Sequence, residues 1–93
     1  ALHEQELADT ERILGPDHPD TLTSRHYLAL AYGSAGRVRE EISLYERTLA
    51  DSERILGPDH PDTRATRNNL VRAYESAGRV WEAIPLYEYR SKG

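Results

Sequence analysis

The sequence predicts an all-α fold, an α-solenoid of antiparallel helix hairpins with about five helices. Three observations predict it. A long segment of the chain repeats, apolar residues recur at helical spacing within each copy, and Gly and Pro mark short turns between the helical stretches. Short turns make consecutive helices antiparallel neighbours, and hairpins that stack in this way form a solenoid.

The repeat has a period of 42 residues. Residues 13–21 recur unchanged at 55–63, and 26 of 42 positions are identical when residues 9–50 are laid over residues 51–92. We therefore divide the single array fragment, residues 1–93, into the second helix of a preceding repeat (1–14), a first repeat (15–56) and a second repeat (57–93). The chain contains no Met, even at position 1. We therefore expect it to be part of a longer polypeptide.

The first helix of each repeat has a recognisable beginning. In Asp17-His18-Pro19-Asp20, an Asp or His precedes a Pro suited to the first turn, and acidic side chains favour the positive end of a helix. The same four residues recur at 59–62. We expect helices near residues 1–14, 18–35, 37–56, 60–77 and 79–90.

The second helix of the first repeat carries a regular stripe. Gly36 is a suitable residue to end the helix before it, and Gly57 followed by Pro58 ends the stripe. The stripe steps along the chain by 4, 3, 4, 3 and 4 residues, through Val38, Ile42, Tyr45, Leu49, Ser52 and Leu56. This spacing places all six on one face of a helix.

Composition excludes several classes of function. The chain has no Cys, so disulfides, thiolate catalysis and Cys-based zinc sites are excluded. It has no apolar run of membrane-spanning length and no signal-peptide pattern. The net charge of −4, with both signs interleaved, argues against a nucleic-acid surface. We expect a cytoplasmic protein that binds protein or peptide partners, with no nucleic-acid or membrane contact.

The chain resembles the tetratricopeptide repeat family. The signature residues are Leu28, Ala29, Tyr32, Gly36 and Tyr45 in the first repeat, and Leu70, Tyr74, Gly78, Ala83 and Tyr87 in the second. The 42-residue period, the Gly-Pro-Asp-His-Pro-Asp-Thr segment and Asn68-Asn69-Leu70 are similar to the kinesin-light-chain subtype found in bacterial arrays. The resemblance implies a right-handed superhelix. Two residues depart from the pattern: Glu41 stands where the family usually has Ala, and Val71 replaces a smaller residue at the tight helix contact.

The resemblance also implies a binding site. Tetratricopeptide arrays bind extended peptides or helices in a concave groove lined by the first helix of each hairpin. We call the positions that correspond to it here the groove row: Thr23, His26, Leu30, Ala65, Asn68, Arg72 and Glu75. Asn68 can pair with a peptide backbone, and Arg72 can hold a carboxylate. The alternative is that these are ordinary solvated helix residues.

Metal and catalytic sites are poorly supported. His18 with Asp17 and Asp20, and the matching set at 59–62, hold metal-ligand side chains but occupy equivalent places one repeat apart. They cannot share an ion, and helix initiation explains them more simply. No nucleophile with a base, paired carboxylates or phosphate-binding loop is present. We expect no enzyme activity, no cofactor and no metal.

The ends of the array offer a second hypothesis for function. Leu2, Leu7 and Leu14 should be partly bare, because their helix lacks its hairpin partner. Trp81 and Tyr89 stand where the first repeat has Arg39 and Arg47. Trp81 either folds back as an end cap or contacts a second chain. The alternative function is therefore a structural element that self-associates through residues on its ends: Leu2, Leu7, Trp81 and Tyr89.

Overall fold

The computed structural model describes the backbone of residues 2–92 and the side chains of residues 4–87. Within this part the chain forms five α-helices and no strand, and the prediction of an all-α fold is confirmed. The helices are α1 (Leu2–Leu14), α2 (Pro19–Ser34), α3 (Val38–Ile55), α4 (Pro61–Ser76) and α5 (Val80–Lys92). Their ends lie within two residues of those predicted from the repeat.

Each helix packs against the next one along the chain. The result is a flat stack with extents of 37 × 29 × 14 Å. α2 and α4 are the first helices of the two repeats, and α3 lies between them in the order of packing. This arrangement brings equivalent residues of α2 and α4 to neighbouring places on the molecule.

Histidines begin the first helix of each repeat. Nδ1 of His18 accepts a hydrogen bond of 3.1 Å from the backbone N–H of Asp20, and His60 accepts one of the same length from Asp62. Each His is followed by a Pro in the first helical turn. The bonds satisfy an N–H that a helix start otherwise leaves without an internal partner. The prediction that these residues initiate helices is confirmed.

Gly36 and Gly78 end α2 and α4. Their φ angles of 78° and 75° lie in the left-handed region, which other residues rarely adopt. The turn lets the N–H of Arg37 bond to the carbonyl of Tyr32 at 2.8 Å, and Arg79 repeats the arrangement in the second repeat. This closure is the Schellman type, and it allows only a short link before the next helix.

The core runs through all five helices. Within the stripe predicted for α3, Ile42, Tyr45, Leu49 and Ser52 are buried, and Val38 and Leu56 are half-buried. The buried apolar side chains of this cluster are Leu7, Leu28, Ala29, Ile42, Leu44, Tyr45, Leu49, Leu70, Val71, Ala73, Tyr74 and Ala83. The core contains residues of both repeats, so the hairpins are held together by apolar packing.

Two buried arginines occupy equivalent places in the repeats. Arg25 is 1% exposed and donates to the Asp51 carboxylate and, at 3.1 Å, to the carbonyl of Pro16. Arg67 donates to the carbonyl of Pro58 at 3.0 Å and to Glu53 at 3.3 Å. Each arginine therefore ties the first helix of its repeat to the Gly-Pro loop that precedes it.

The prediction that apolar side chains at the two ends of the array are exposed is partly wrong. Leu7 is 9% exposed and belongs to the core, because Leu28 of α2 and Leu44 of α3 lie in the same cluster. Leu14 remains partly bare. Trp81 is 76% exposed, so it does not fold back as an end cap. The side chains of Leu2 and Tyr89 lie outside the described residues.

Candidate binding groove

A pocket of about 190 Å³ opens between the first helices of the two repeats. We call it the α2–α4 pocket. Its lining residues come from α2, α3 and α4 and from the residue that follows α3: Leu22, Thr23, His26, Tyr27, Thr48, Ser52, Leu56, Asp62, Ala65 and Thr66. α2 and α4 belong to different repeats, so the pocket exists only where two repeats stack.

The structure brings together three residues of the predicted groove row. Thr23, His26 and Ala65 all line the α2–α4 pocket. The other four are not among its lining residues: Leu30, Asn68, Arg72 and Glu75. They follow the first three at helical spacing and extend the same face away from the pocket.

The four outer positions differ in exposure. Leu30 is exposed at 42%, and Arg72 and Glu75 are exposed, whereas Asn68 is half-buried. Glu75 accepts a hydrogen bond from the hydroxyl of Tyr87. Arg72 is accessible to a ligand. The role of the whole row in binding stays a prediction.

Tyr45 is a core residue that lies close to two residues of the groove row, His26 and Arg72. The pKa of Tyr45 is raised to about 12, mainly by burial and also by the carboxylate of Glu41, while the positive charge of Arg72 opposes the rise. The ring of Tyr45 also meets the edge of His26, with 5.9 Å between ring centroids. Arg72 and His26 therefore lie close to the same buried tyrosine, from the two sides of the groove.

His26 is a neutral, half-buried member of the α2–α4 pocket. Its Nε2 lies 3.5 Å from Nδ2 of Asn69, and its ring makes a second edge contact, with Tyr27. Burial lowers the pKa of His26 below its ordinary value of 6.5, and the negative charge of Asp62 only partly opposes this. The imidazole is therefore uncharged at neutral pH.

The threonine hydroxyls of the pocket have already used their protons. Thr23 donates to the carbonyl of Pro19 at 3.2 Å, Thr48 to that of Leu44 at 2.7 Å, and Thr66 to that of Asp62 at 3.0 Å. A hydroxyl that donates its proton still has lone pairs to accept with. These three hydroxyls therefore act as acceptors towards a ligand.

Asp62 and Tyr27 are pocket residues that sequence reasoning missed. Asp62 lies in the first turn of α4, and it also precedes Ala65 by three residues and so shares its face. Its carboxylate forms no ion pair with the side chains of residues 4–87. Tyr27 is 56% exposed beside His26. Helical spacing alone would have been enough to place both in the groove.

Metal binding and membrane insertion find no support in the described part of the chain. No three His, Cys, Asp or Glu side chains there come together in a group able to hold a metal ion. No helix in residues 2–92 combines the length and the apolar character that crossing a membrane requires. His18 and His60 use their Nδ1 atoms as helix caps.

Comparisons with known proteins agree with this architecture. Residues 1–20 and 21–62 match one sequence model of the tetratricopeptide repeat, and residues 42–88 match another. A crystal structure of nearly identical tetratricopeptide-like repeats, assigned to a kinesin light chain of Podosopora anserina, is 39% identical with a TM-score of 0.86. The similarity covers 95% of this chain and 42% of that one.

A second crystal structure, of a single-substitution variant of the Podosopora anserina protein, gives the same identity, coverage and TM-score. The search of curated proteins gave no significant match. The present chain spans less than half the length of the structures it resembles. The sequence models and the structures agree on the repeat type. The chain belongs to the tetratricopeptide repeat family, and its repeats are similar to those of the kinesin-light-chain type.

Proposed function

We propose that this chain binds a peptide or a helix of a protein partner along the groove row. Tetratricopeptide repeats generally mediate protein–protein interaction, and the chain belongs to that family. The observation that carries the proposal is the α2–α4 pocket, in which first helices from two repeats present polar and apolar side chains together. A mixed lining of this kind is typical of sites that orient a ligand as well as bury it.

The outer part of the groove row supplies the polar contacts. The amide of Asn68 can donate to and accept from a peptide backbone, and the exposed guanidinium of Arg72 can hold a carboxylate in two charge-assisted bonds. Both lie on α4, on the face that continues from Ala65. A bound segment would therefore run from the pocket along α4.

The test is selection of peptides from a random displayed library, followed by binding to variants. We expect selected peptides to bind the Asn68→Ala/Arg72→Ala double variant at least about tenfold more weakly, as for the loss of contacts in an interface centre. Arg39→Ala is the matched control, because Arg39 lines a separate cleft between α1 and α3. Circular dichroism checks that the helices persist. Equal binding to the double variant would refute the groove.

A second candidate function is self-assembly through α5. Trp81 is largely exposed, and Val80 and Ile84 beside it are about half exposed. An exposed apolar patch of this kind often marks a contact surface. Light scattering after gel filtration, over a wide concentration range, tests it. We expect a concentration-dependent dimer that Trp81→Arg, the residue of the first repeat, abolishes; a monomer at every concentration would exclude the idea.

Both candidates make the chain a binding element and not an enzyme. The first makes it part of a scaffold or regulatory protein in the cytoplasm, and the second makes it an assembly module of the same kind of protein. The two are separable, because Arg72 and Trp81 lie on different helices and each has its own test.

A further inference from the structure

We infer that the α2–α4 pocket receives a basic side chain, Lys or Arg, of the bound segment. The inference rests on the proposed function, since it names what enters the pocket when a partner lies along the groove row. It is carried by the balance of donors, acceptors and charges among the lining residues.

The pocket offers acceptors to a ligand and contains no cation of its own. None of its lining residues is Lys or Arg. The carboxylate of Asp62 has no ion-pair partner among the described side chains, and the hydroxyls of Thr23 and Thr66 have given their protons to backbone carbonyls. A ligand group that donates hydrogen bonds suits these acceptors, and one that also carries a positive charge gains most beside Asp62.

The rest of the lining suits the stem of a basic side chain. Leu22 and Leu56 supply apolar surface, and Tyr27 supplies an exposed aromatic ring. Lys and Arg bury their methylene stems along apolar surface while the charged end stays at a polar group. A cation over the face of a tyrosine ring is also attracted to it. Stem and charge thus both have a place in the same pocket.

An acidic side chain does not fit this lining. The carboxylate of Asp62 would repel it, and the N–H of Asp62 at the start of α4 is already bonded to His60. His26 is neutral, so it does not provide a positive charge in compensation. The exposed guanidinium of Arg72 lies outside the pocket, where a carboxylate elsewhere in the ligand can reach it.

The experiment uses three blocked peptides that differ only at a central Lys, norleucine or Glu. Each is titrated to about 10 mM into the ¹⁵N-labelled protein, and amide shifts of Thr23, His26 and Thr66 are followed. We expect the Lys peptide to bind about fivefold more tightly than the norleucine peptide, the upper range for an exposed ion pair, and the Glu peptide to bind most weakly. The preference should fall with added salt.

Asp62→Asn should abolish the preference for Lys. Asp20→Asn is the matched control, because Asp20 occupies the same place at the start of α2 and does not line the pocket. Equal affinity for the three peptides, no shift with any of them, or a Lys preference that survives Asp62→Asn would each overturn the inference.

Failure of the inference is distinguishable from failure of the proposed function. Library peptides that depend on Asn68 and Arg72 but show no enrichment of Lys or Arg would overturn the pocket assignment and leave groove binding standing. Binding of basic peptides that is unaffected by Asn68→Ala/Arg72→Ala, yet lost in Asp62→Asn, would support the pocket and contradict the longer groove.

Discussion

Glu41 on α3 fills the space beside Gly33 on α2. A Cβ built on Gly33 would collide with the carboxylate of Glu41, and burial raises the pKa of the Glu41 carboxyl. In the second repeat the equivalent residues are Glu75 and Ala83. Ala83 is 0% exposed, and Glu75 bonds to Tyr87. At these equivalent positions the first hairpin carries its glutamate on the second helix and the second hairpin carries it on the first helix, and the other position of each pair holds a small residue.

This relationship predicts coupling between positions 33 and 41. In a Glu41→Ala background, Gly33→Ala should raise the free energy of unfolding by about 1 kcal/mol, because Ala favours a helix interior over Gly. With Glu41 present, the new methyl must push the flexible end of the Glu41 side chain aside, and the gain should be smaller. Urea unfolding of the four proteins measures the difference. An equal gain in both backgrounds would contradict the contact.

Removal of the buried Arg25 should strongly destabilise the fold. Arg25→Ala removes a buried side chain and leaves the Pro16 carbonyl and the partly buried Asp51 carboxylate without this donor, which should cost about 2 kcal/mol or more. The control is Arg39→Ala, since Arg39 is an exposed cation on α3 and its loss should cost less than about 0.5 kcal/mol. Similar losses in the two variants would show that burial of Arg25 is not what matters.

The same pair predicts a pH dependence of stability. Burial favours a higher pKa for Asp51, but the hydrogen bonds from Arg25 and Arg54 outweigh it and lower the pKa below its ordinary value of 3.8. The folded state therefore binds this proton less readily than the unfolded state. Its contribution to stability is present above about pH 4 and is lost as the pH falls through the folded pKa. Arg25→Ala should weaken this acid dependence.

The helix caps predict a small loss of stability when the capping histidine is replaced by Ala but not when it is replaced by Asn. His60→Ala should lower the free energy of unfolding by about 1 kcal/mol, because the N–H of Asp62 loses its acceptor. His60→Asn should retain most of the stability, since an Asn side chain can accept the same bond. Thermal unfolding of both variants, with the matching pair at His18, measures this. A loss as large in the Asn variants as in the Ala variants would argue against capping.

The burial of His26 predicts a dependence on mild acid. Its pKa in the folded state lies below 6.5, so protonation favours the unfolded state. Stability from this group is complete above pH 6.5 and declines as the pH falls from there through the folded pKa. NMR titration of the His26 ring should give a midpoint below 6.5. The decline in stability should be reduced in His26→Gln, and an unchanged decline would assign it to other groups.

The repeat explains why the fold was predictable. Two copies that share their turn residues place Gly36 and Gly78 in register, and each glycine ends a helix by adopting a left-handed conformation. The helical stripe in α3 located the buried face before any packing was known. The periodicity of one helix does not indicate how far the neighbouring helices bury its side chains. That is why Leu7 was expected to be bare although α2 and α3 enclose it.

The binding site was less predictable for a related reason. Arginine is usually exposed, so nothing in composition pointed to burial of Arg25 and Arg67 except their recurrence in both repeats. Asp62 had a sufficient local explanation at the start of a helix, which concealed its second position in the pocket wall. The position of Asp62 in the pocket becomes visible only when α2, α3 and α4 are packed together.

The exchanged glutamates limit how this array can change by recombination. Residues 34–38 are identical to residues 76–80, so the repeats can align for an unequal crossover inside a hairpin as well as at the longer identical segment of residues 13–21 and 55–63. A crossover inside a hairpin joins the first helix of one hairpin to the second helix of the other. One product would combine Glu75 with Glu41 at these two positions, and the other would combine Gly33 with Ala83. Either product loses a matched pair, so selection should favour duplication of whole hairpins.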